Sequence, residues 1–292
     1  MPAQPAILSD VPAHASFLFL DRAHGADPAA AVRSLGASAH PDWACVGIGT
    51  SLLRSLSCEI GGMRPLPALQ GVGVPTPTTP TDLVVRIAGA DPGAVLHRER
   101  TLLSGLAQFG VTDRVAGFQY GDNRDLSGYI DGTENPEGSR AAATALRAAG
   151  PAGVVGSSVL VVQRWVHDLR AFDGLGRAGQ DAAIGRDLES NEELDDVPES
   201  AHVKRTAQED FDPEAFIVRR SMPWRDARGA GLVFVSFSAT MDPFEAQLRR
   251  MVGLDDGVVD ALYSFTRPVT GGAWWCPPTV EGRLDVRACL PR

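Results

Sequence analysis

One arrangement occurs twice in this chain of 292 residues: a β-rich run, an Asp-Pro pair, and a helix with apolar residues on one face. The first copy begins at Leu83 and continues through Asp91-Pro92, and the second begins at Leu232 and continues through Asp242-Pro243. In each pair, Asp is suited to accept hydrogen bonds from the first helical turn, while Pro occupies a position whose N–H would lack a partner anyway. The repetition predicts an α+β fold made by duplication.

The two halves of the chain also begin in a similar way. ASFLFLDR precedes the helical pattern DPAAAVRSL in the first half, and VGSSVLVVQRWVHD precedes DLRAFDGL in the second. Strands that alternate with helices in this manner predict two antiparallel sheets, each with helices packed on one face. We therefore expect one unit over residues 1–137 and a second over residues 138–292.

Two segments do not follow the repeated pattern. Residues 136–153 are rich in Ala and Gly and are predicted to be a linker that contains a short helix. Residues 172–200 are strongly acidic and carry no clear strand or helix pattern. Long loops inside compact domains are usually functional or mobile, but runs of charge are most often a solvated face. We expect an acidic surface strap there.

Charge and hydrophobicity exclude several classes of protein. The net charge of −9 repels polyanions and anionic membranes, so we expect no nucleic-acid partner. No run reaches the roughly 18 apolar residues of a membrane helix, and the early run SFLFL is too short for a signal sequence. The four cysteines form no closely spaced pair of the kind that zinc sites use. We predict a cytoplasmic protein with buried, reduced thiols.

The segment LSGYIDGTENPEG places the carboxylate of Asp131 among glycines, beside Tyr129 and Ile130. Asp followed by Gly is a common turn signal, and that reading is sufficient if the segment is considered alone. An acid in an apolar niche becomes a tuned proton acceptor, however, when burial and a nearby arginine shift its pKa in opposite directions. Asp131 is therefore a candidate site residue.

Two further candidates lie later in the chain. His202 follows the acidic segment directly, unlike the other five histidines, whose surroundings are unremarkable. Arg219 and Arg220 end the β-rich run FIVRR, and adjacent residues of a strand point to opposite faces. We expect Arg220 to form a surface ion pair, whereas Arg219 is open between an ion pair and an inward position where it stabilises negative charge.

Several familiar site motifs are missing. The acidic run DNRDLSGYIDGTEN lacks the spacing of a calcium-binding EF-hand loop. The chain also contains no GxGxxG loop that opens a helix after a strand, no Walker lysine loop and no GxSxG elbow. The sequence therefore gives no support to nucleotide-binding enzymes or serine hydrolases.

Taken together, the motifs resemble those of the dye-decolorizing peroxidases. GFQYGDNRDLSGYIDGTENP contains that family's GxxDG signature, from Gly128 to Gly132. ELDDVPESAHVKRT, FIVRRSMPW, GLVFVSFSATMDPFEAQLRRMVG and GGAWWCPP are similar to segments of its B-type members, in the same order. The resemblance spans nearly the whole chain.

The resemblance implies two ferredoxin-like units and one b-type haem per chain, held in the C-terminal unit. His202 matches the proximal iron ligand, Asp131 the distal aspartate and Arg219 the distal arginine. Ser221 matches a small polar residue of the distal pocket. A carboxylate on the second nitrogen of the proximal imidazole strengthens its bond to iron. Asp212 and Glu214 are both candidates for that carboxylate, and the sequence does not choose between them.

The activity implied by the resemblance is reduction of hydrogen peroxide through a ferryl haem, followed by oxidation of dyes, phenolic compounds or other one-electron donors. The alternative is a haem-binding or haem-delivery protein with incidental peroxidase activity. We expect the glycines around Asp131 to let the backbone approach the porphyrin. Four aromatic residues are candidates for relaying electrons to the surface, although each is more simply explained as a core residue: Trp224, Trp274, Trp275 and Tyr263.

The expected partners are hydrogen peroxide, small-molecule electron donors and further copies of the chain in a homo-oligomer. The sequence ends at RACLPR, where we identify no peptide of the kind that directs some B-type members into protein shells. The start of the chain carries no twin-arginine signal, which agrees with the cytoplasmic prediction.

Overall fold

The computed structural model describes residues 2–290. The strands are β1 (His14–Arg22), β2 (Ala44–Gly49), β3 (Leu83–Gly89), β4 (Phe109–Phe118), β5 (Ser158–His167), β6 (Val218–Arg219), β7 (Met222–Asp226), β8 (Gly229–Ser238), β9 (Thr266–Cys276), β10 (Thr279–Val280) and β11 (Arg283–Leu284). The α-helices are α1 (Pro28–Ser38), α2 (Thr50–Ser55), α3 (Pro92–Gly105), α4 (Gly138–Ala145), α5 (Leu169–Gly174), α6 (Gly176–Ile184), α7 (His202–Arg205) and α8 (Asp242–Met251).

Two antiparallel sheets share one strand order. In the first half the order is β2-β3-β1-β4, and in the second half β9 pairs with β5, β5 with β8, and β8 with both β6 and β7. Numbered within each half, both orders are 4-1-3-2, which is that of a ferredoxin-like unit. The α+β class and the duplication predicted from the sequence are confirmed.

The two sheets are joined at both edges. β2 pairs with β9 through Ile48 opposite Trp275 and Gly49 opposite Trp274, and β4 pairs with β7 through Gly117 opposite Trp224. Hydrogen bonding between neighbouring strands is therefore continuous around the two sheets. These junctions cross from one half of the sequence to the other.

The apolar residues divide into an inner layer and two outer layers. Phe17 of β1 and Val235 of β8 belong to one buried cluster between the sheets. A second cluster packs α1 and α3 on the other face of the first sheet, and a third packs α8 on the outer face of the second sheet. Because the side chains of a strand alternate between faces, each sheet buries both of its surfaces. α1, α3 and α8 lie on the outer faces, as predicted, whereas α4 contributes Ala141 and Ala145 to the inner cluster.

Only one of the two Asp-Pro pairs acts as the predicted cap. Asp91 accepts a hydrogen bond of 2.9 Å from the amide of Ala94 at the start of α3. Asp242 instead lies inside the first turn of α8, where its carboxylate binds Arg64 and the hydroxyl of Thr240. The second cap prediction was wrong because a cationic side chain from the first half competes for this carboxylate.

The predictions for the two segments outside the repeat had different outcomes. Residues 138–145 form α4, so the short helix predicted for the linker is confirmed. Residues 172–200 are not a loop throughout, because α5 and α6 occupy most of their first half. Within the described chain, no helix is long and apolar enough to cross a membrane.

Candidate functional site

A cavity opens between α8, the outer face of the second sheet and the segment that carries Asp131. Its empty volume is about 900 Å³, counting the solvent-open mouth. Much of its wall is apolar, contributed by Ile184, Phe234, Phe244, Leu248, Met251 and Phe265. Asp131, Arg219 and His202 all line this cavity, although they are far apart in the sequence. The fold thus brings three of the four predicted site residues together.

His202 begins α7, and its imidazole has one nitrogen occupied. Nδ1 lies 2.7 Å from Oδ2 of Asp260, whose side chain is fully buried. The other carboxylate oxygen of Asp260 accepts from the amide of Leu262 at 2.9 Å. Because Nδ1 faces the carboxylate, Nε2 is the nitrogen of His202 that is left to serve a ligand in the cavity.

Asp260 replaces both carboxylates that the sequence offered as partners of His202. Asp212 and Glu214 are exposed, and the prediction that one of them supports His202 was wrong. Asp260 is 58 residues from His202 and stands before a short 3-10 turn, where an aspartate is usual as a cap. That local signal gives no indication of the long-range contact.

Asp131 and Arg219 form a loose pair at the cavity. Nε of Arg219 lies 3.8 Å from Oδ1 of Asp131, and the side chains are only 17% and 15% exposed. Oδ2 of Asp131 is buried and has no hydrogen-bond partner within residues 2–290. A buried carboxylate oxygen without a partner is costly, so this atom is available to a bound ligand.

Asn135 links the segment that carries Asp131 to the backbone of Arg219. Its Oδ1 accepts from the amide of Arg219 at 2.7 Å, and its Nδ2 donates to the carbonyl of the same residue at 3.1 Å. Asn123 binds the backbone of Asp131 in a similar way, donating through Nδ2 to its carbonyl at 2.7 Å. The sequence analysis did not single out Asn135 and so missed this function.

The local backbone requires the glycines beside Asp131. Gly128 and Gly132 adopt φ values of +94° and +83°, where side chains other than glycine are strained. A Cβ atom on Gly132 would lie 2.6 Å from Nδ2 of Asn135. They permit the turn and make room for Asn135. Their close approach to a porphyrin stays a prediction.

Ser221 does not line the cavity, and Arg220 does not form the predicted ion pair. Ser221 is 1% exposed and is not among the residues that line the cavity; its Oγ lies 3.4 Å from the amide of Val235. Arg220 donates to the carbonyls of Leu8, Ser9 and Arg219 instead of forming the expected ion pair. Its guanidinium satisfies the backbone where the N-terminal segment crosses the second sheet.

A second polar group at the cavity was missed by the sequence analysis. Nε2 of His167 lies 2.9 Å from Oδ1 of Asp125, and Nδ1 lies 2.6 Å from Oγ1 of Thr266. Burial by itself raises the pKa of Asp125, but hydrogen bonds from His167 and from the amide of Ser127 outweigh it and hold that pKa below its usual value. This cluster ties the Asp131 segment to the end of β5.

The aromatic candidates for electron relay are mostly core residues. Trp224, Trp274 and Trp275 are at most 1% exposed and pack in the buried clusters, as the simpler explanation predicted. Tyr263 lies 5.4 Å from Trp165, measured between ring centroids. Burial, followed by the nearby charge of Asp260, raises the pKa of Tyr263, so its hydroxyl stays protonated.

A more polar chamber adjoins the first cavity. It has an empty volume of about 750 Å³ and shares Asp131, His202 and Arg219 with its neighbour. Arg186 lies in its wall and binds the carboxylates of Glu134, at 2.6 Å, and Glu193, at 3.1 Å. The site therefore has one apolar side and one polar side, with the three candidate residues between them.

These features fit a haem group. A flat apolar macrocycle requires a largely apolar cavity, and its iron requires an imidazole nitrogen oriented by a hydrogen bond on the other nitrogen. His202 with Asp260 provides the imidazole. Asp131 and Arg219 provide an acid with a free oxygen and a fixed positive charge in the same cavity.

Comparisons with known proteins point the same way. The sequence model of the family described as Dyp-type peroxidase, C-terminal, matches residues 122–281. A dye-decolorizing peroxidase of Brevibacterium linens is 32% identical over 86% of this chain and 71% of that protein. Another, from Mycolicibacterium paratuberculosis, is 35% identical over 72% of this chain and 61% of its own length.

Solved structures agree over almost the full chain. A variant of DypB from Rhodococcus jostii, in complex with heme, has a TM-score of 0.84 and 29% identity, covering 94% of this chain and 95% of its own. A dye-decolorizing protein from V. cholerae has a TM-score of 0.83 and 30% identity, covering 93% and 96%. The chain therefore belongs to the Dyp-type peroxidase family and is a haem peroxidase of that family.

Proposed function

We propose that this protein reduces hydrogen peroxide at a haem bound by His202 and oxidises dyes, phenolic compounds or other small one-electron donors. The observation that carries the proposal is the single cavity in which a carboxylate-bound imidazole, an acid with a free oxygen and an arginine meet. In this proposal Asp131 and Arg219 act on peroxide, and His202 would hold the haem iron. A role for Ser221 in the distal pocket has no support from the cavity lining.

The contact between His202 and Asp260 prepares the imidazole for its function. Nδ1–H donates to the buried carboxylate at 2.7 Å, which fixes the tautomer and directs the lone pair of Nε2 away from Asp260. The negative charge also makes the ring a stronger electron donor through Nε2. Asp260 is held in turn by the amide of Leu262, so the ring orientation is fixed by the fold.

Asp131 and Arg219 divide the work on peroxide between proton transfer and charge stabilisation. Heterolytic cleavage of the O–O bond requires a proton to move from one oxygen of hydrogen peroxide to the other oxygen, which then departs. The unpartnered Oδ2 of Asp131 is placed to accept and return that proton. The guanidinium of Arg219 carries a positive charge and stabilises the negative charge that develops on the departing oxygen.

The haem, when bound, supplies the redox chemistry that accepts two oxidising equivalents from peroxide and passes them to donors one at a time. The polar chamber beside Asp131 and Arg219 is wide enough to admit peroxide and water. The apolar wall formed by residues such as Phe244 and Leu248 excludes water from the other side of the site.

The remaining expectations stay predictions. They comprise the division into units at residues 1–137 and 138–292, assignment to the B-type subgroup, a homo-oligomer, a cytoplasmic location and the lack of encapsulation in a protein shell.

The test is rapid mixing of the purified, haem-loaded protein with one equivalent of peroxide, while haem absorbance is followed. A peroxidase gives a fast spectral change that reverses when a reducing dye is added, with turnover of that dye. A haem-delivery protein, which is the alternative, gives slow bleaching that no donor reverses. That result would reject the proposal.

A further inference from the structure

The four cysteines of the chain meet in two pairs, although no two of them are close in the sequence. Cys45 and Cys276 belong to one buried cluster, and Cys58 and Cys289 belong to another, where the thiols of each pair affect each other's pKa. All four are free thiols. Each pair joins the first half of the chain to its last segment, and neither pair belongs to the site described above.

The two pairs differ in their access to solvent. Cys45 and Cys276 are completely buried between the sheets. Cys58 is 9% exposed and lines an open cleft with an empty volume of about 940 Å³, whose wall also includes Arg54. Its partner Cys289 is 2% exposed behind it. A small oxidant in solution therefore reaches Cys58 first.

The surroundings of Cys58 give the two thiols of its pair different roles. Sγ of Cys58 lies 3.1 Å from the carbonyl of Ala288, the residue before Cys289. The interaction with Cys289 holds the pKa of Cys58 below its ordinary value, despite the opposing effect of burial. The same contact and burial raise the pKa of Cys289. Because a solute in the cleft reaches Cys58 first and Cys289 is buried behind it, Cys58 is the attacking thiol and Cys289 the resolving thiol.

We propose that Cys58 and Cys289 form a dithiol that hydrogen peroxide, the oxidant this family uses, converts to a disulfide without involving the haem. The thiolate of Cys58 attacks one peroxide oxygen and breaks the O–O bond, giving a sulfenic acid and, after protonation of the departing hydroxide, water. The sulfur of Cys289 then displaces the hydroxyl group of that sulfenic acid as a second water. In total, two thiols lose two electrons and two protons to one peroxide.

The disulfide would link the last described turn of the chain covalently to the first half. Cys289 ends the 3-10 turn Arg287–Cys289, and Cys58 follows α2 in the same apolar cluster. A covalent link across almost the whole sequence restricts the unfolded chain strongly. The oxidised protein should consequently unfold at a higher temperature than the reduced protein, and a reductant should reverse the difference.

The test is treatment of the reduced haem-loaded protein with hydrogen peroxide, followed by denaturation, alkylation of free thiols and mass spectrometry. We expect the protein to lose the mass of two hydrogens, two thiols to remain available for alkylation, and peptide mapping to give a Cys58–Cys289 cross-link. The Cys45–Cys276 pair is the matched internal control. It has the same contact without the access, and it should stay reduced.

Two variants assign the steps. Cys289→Ser should stop the reaction at a sulfenic acid on Cys58, which dimedone traps, and Cys58→Ser should leave Cys289 reduced at the same peroxide concentration. Four alkylatable thiols after peroxide treatment of the unaltered protein would overturn the proposal. Equal oxidation of the sealed Cys45–Cys276 pair, or oxidation of Cys289 in Cys58→Ser, would also overturn it.

Discussion

The substitution Asp260→Asn tests how the protein holds its haem. Asp260 contributes one oxygen to Nδ1 of His202, at 2.7 Å, and the other to the amide of Leu262, at 2.9 Å. Asparagine has nearly the same shape but a single acceptor oxygen and no charge. It therefore cannot satisfy both donors, and the imidazole loses either its partner or the negative charge on that partner.

The expected size of the effect follows from that contact. Hydrogen bonds to charged groups contribute about 1.5–3 kcal/mol, and the carboxylate of Asp260 is fully buried, so solvent does not screen it. With about 1.4 kcal/mol for each tenfold change, we expect haem to dissociate roughly 10–100 times faster. The same range is about what is found when a residue that supports a metal ligand is replaced.

The assay is transfer of haem from the purified protein to an excess of a haem-acceptor protein, followed by absorbance. Asp255→Asn is the matched control, because Asp255 is a nearby aspartate in the sequence that is exposed and forms a surface ion pair with Arg249. Such surface pairs contribute about 1 kcal/mol or less. If Asp260→Asn releases haem no faster than the control, the carboxylate does not support the ligand as we argue.

Three further predictions concern other parts of the site. Arg219→Leu should slow the peroxide reaction about 10²–10³-fold in stopped-flow measurements, while its haem content stays near normal. The control is Arg225→Leu, which changes an exposed arginine. Equal rates for the two variants would contradict this prediction. Gly132→Ala should lower the free energy of unfolding in urea by more than Gly25→Ala, for which we expect a loss of about 1–2 kcal/mol. Both glycines have positive φ, so both substitutions strain the backbone. A Cβ on Gly25 would meet nothing within 4 Å, whereas one on Gly132 would also meet Asn135. Equal losses would show that Asn135 moves freely. Asp125→Asn should lower stability at neutral pH, and the difference from the unaltered protein should shrink as the pH falls below about 4, because a carboxyl whose folded pKa is lowered stabilises only while it is ionised. Urea unfolding at several pH values measures that difference, and a constant gap would be evidence against it.

The parts of the fold that depend on local pattern could be predicted from the sequence. Alternation of strands and helices repeats in both halves, and the Asp91 cap depends only on the residues that follow it. Asp242 shows the limit of such reasoning, because its carboxylate is taken by Arg64 from the other half of the chain. A sequence pattern does not contain that competition.

The candidate site shows the same division. His202, Asp131 and Arg219 lie in recognisable motifs, and the fold places all three at one cavity. Asp260 and Asn135 act through contacts 58 and 84 residues away along the chain, and their own surroundings indicate only a cap and a turn. Residues that orient other residues carry weak local signals, since their partners are decided by tertiary structure.

The central claim is that one imidazole, His202, holds the haem iron. The most direct measurement is the haem content and absorption spectrum of His202→Ala after gel filtration, compared with His97→Ala, which changes an exposed histidine of α3. We expect His202→Ala to retain little haem and added imidazole to restore part of the binding, while the control is unaffected. Full haem occupancy with an unchanged spectrum in His202→Ala would contradict the account.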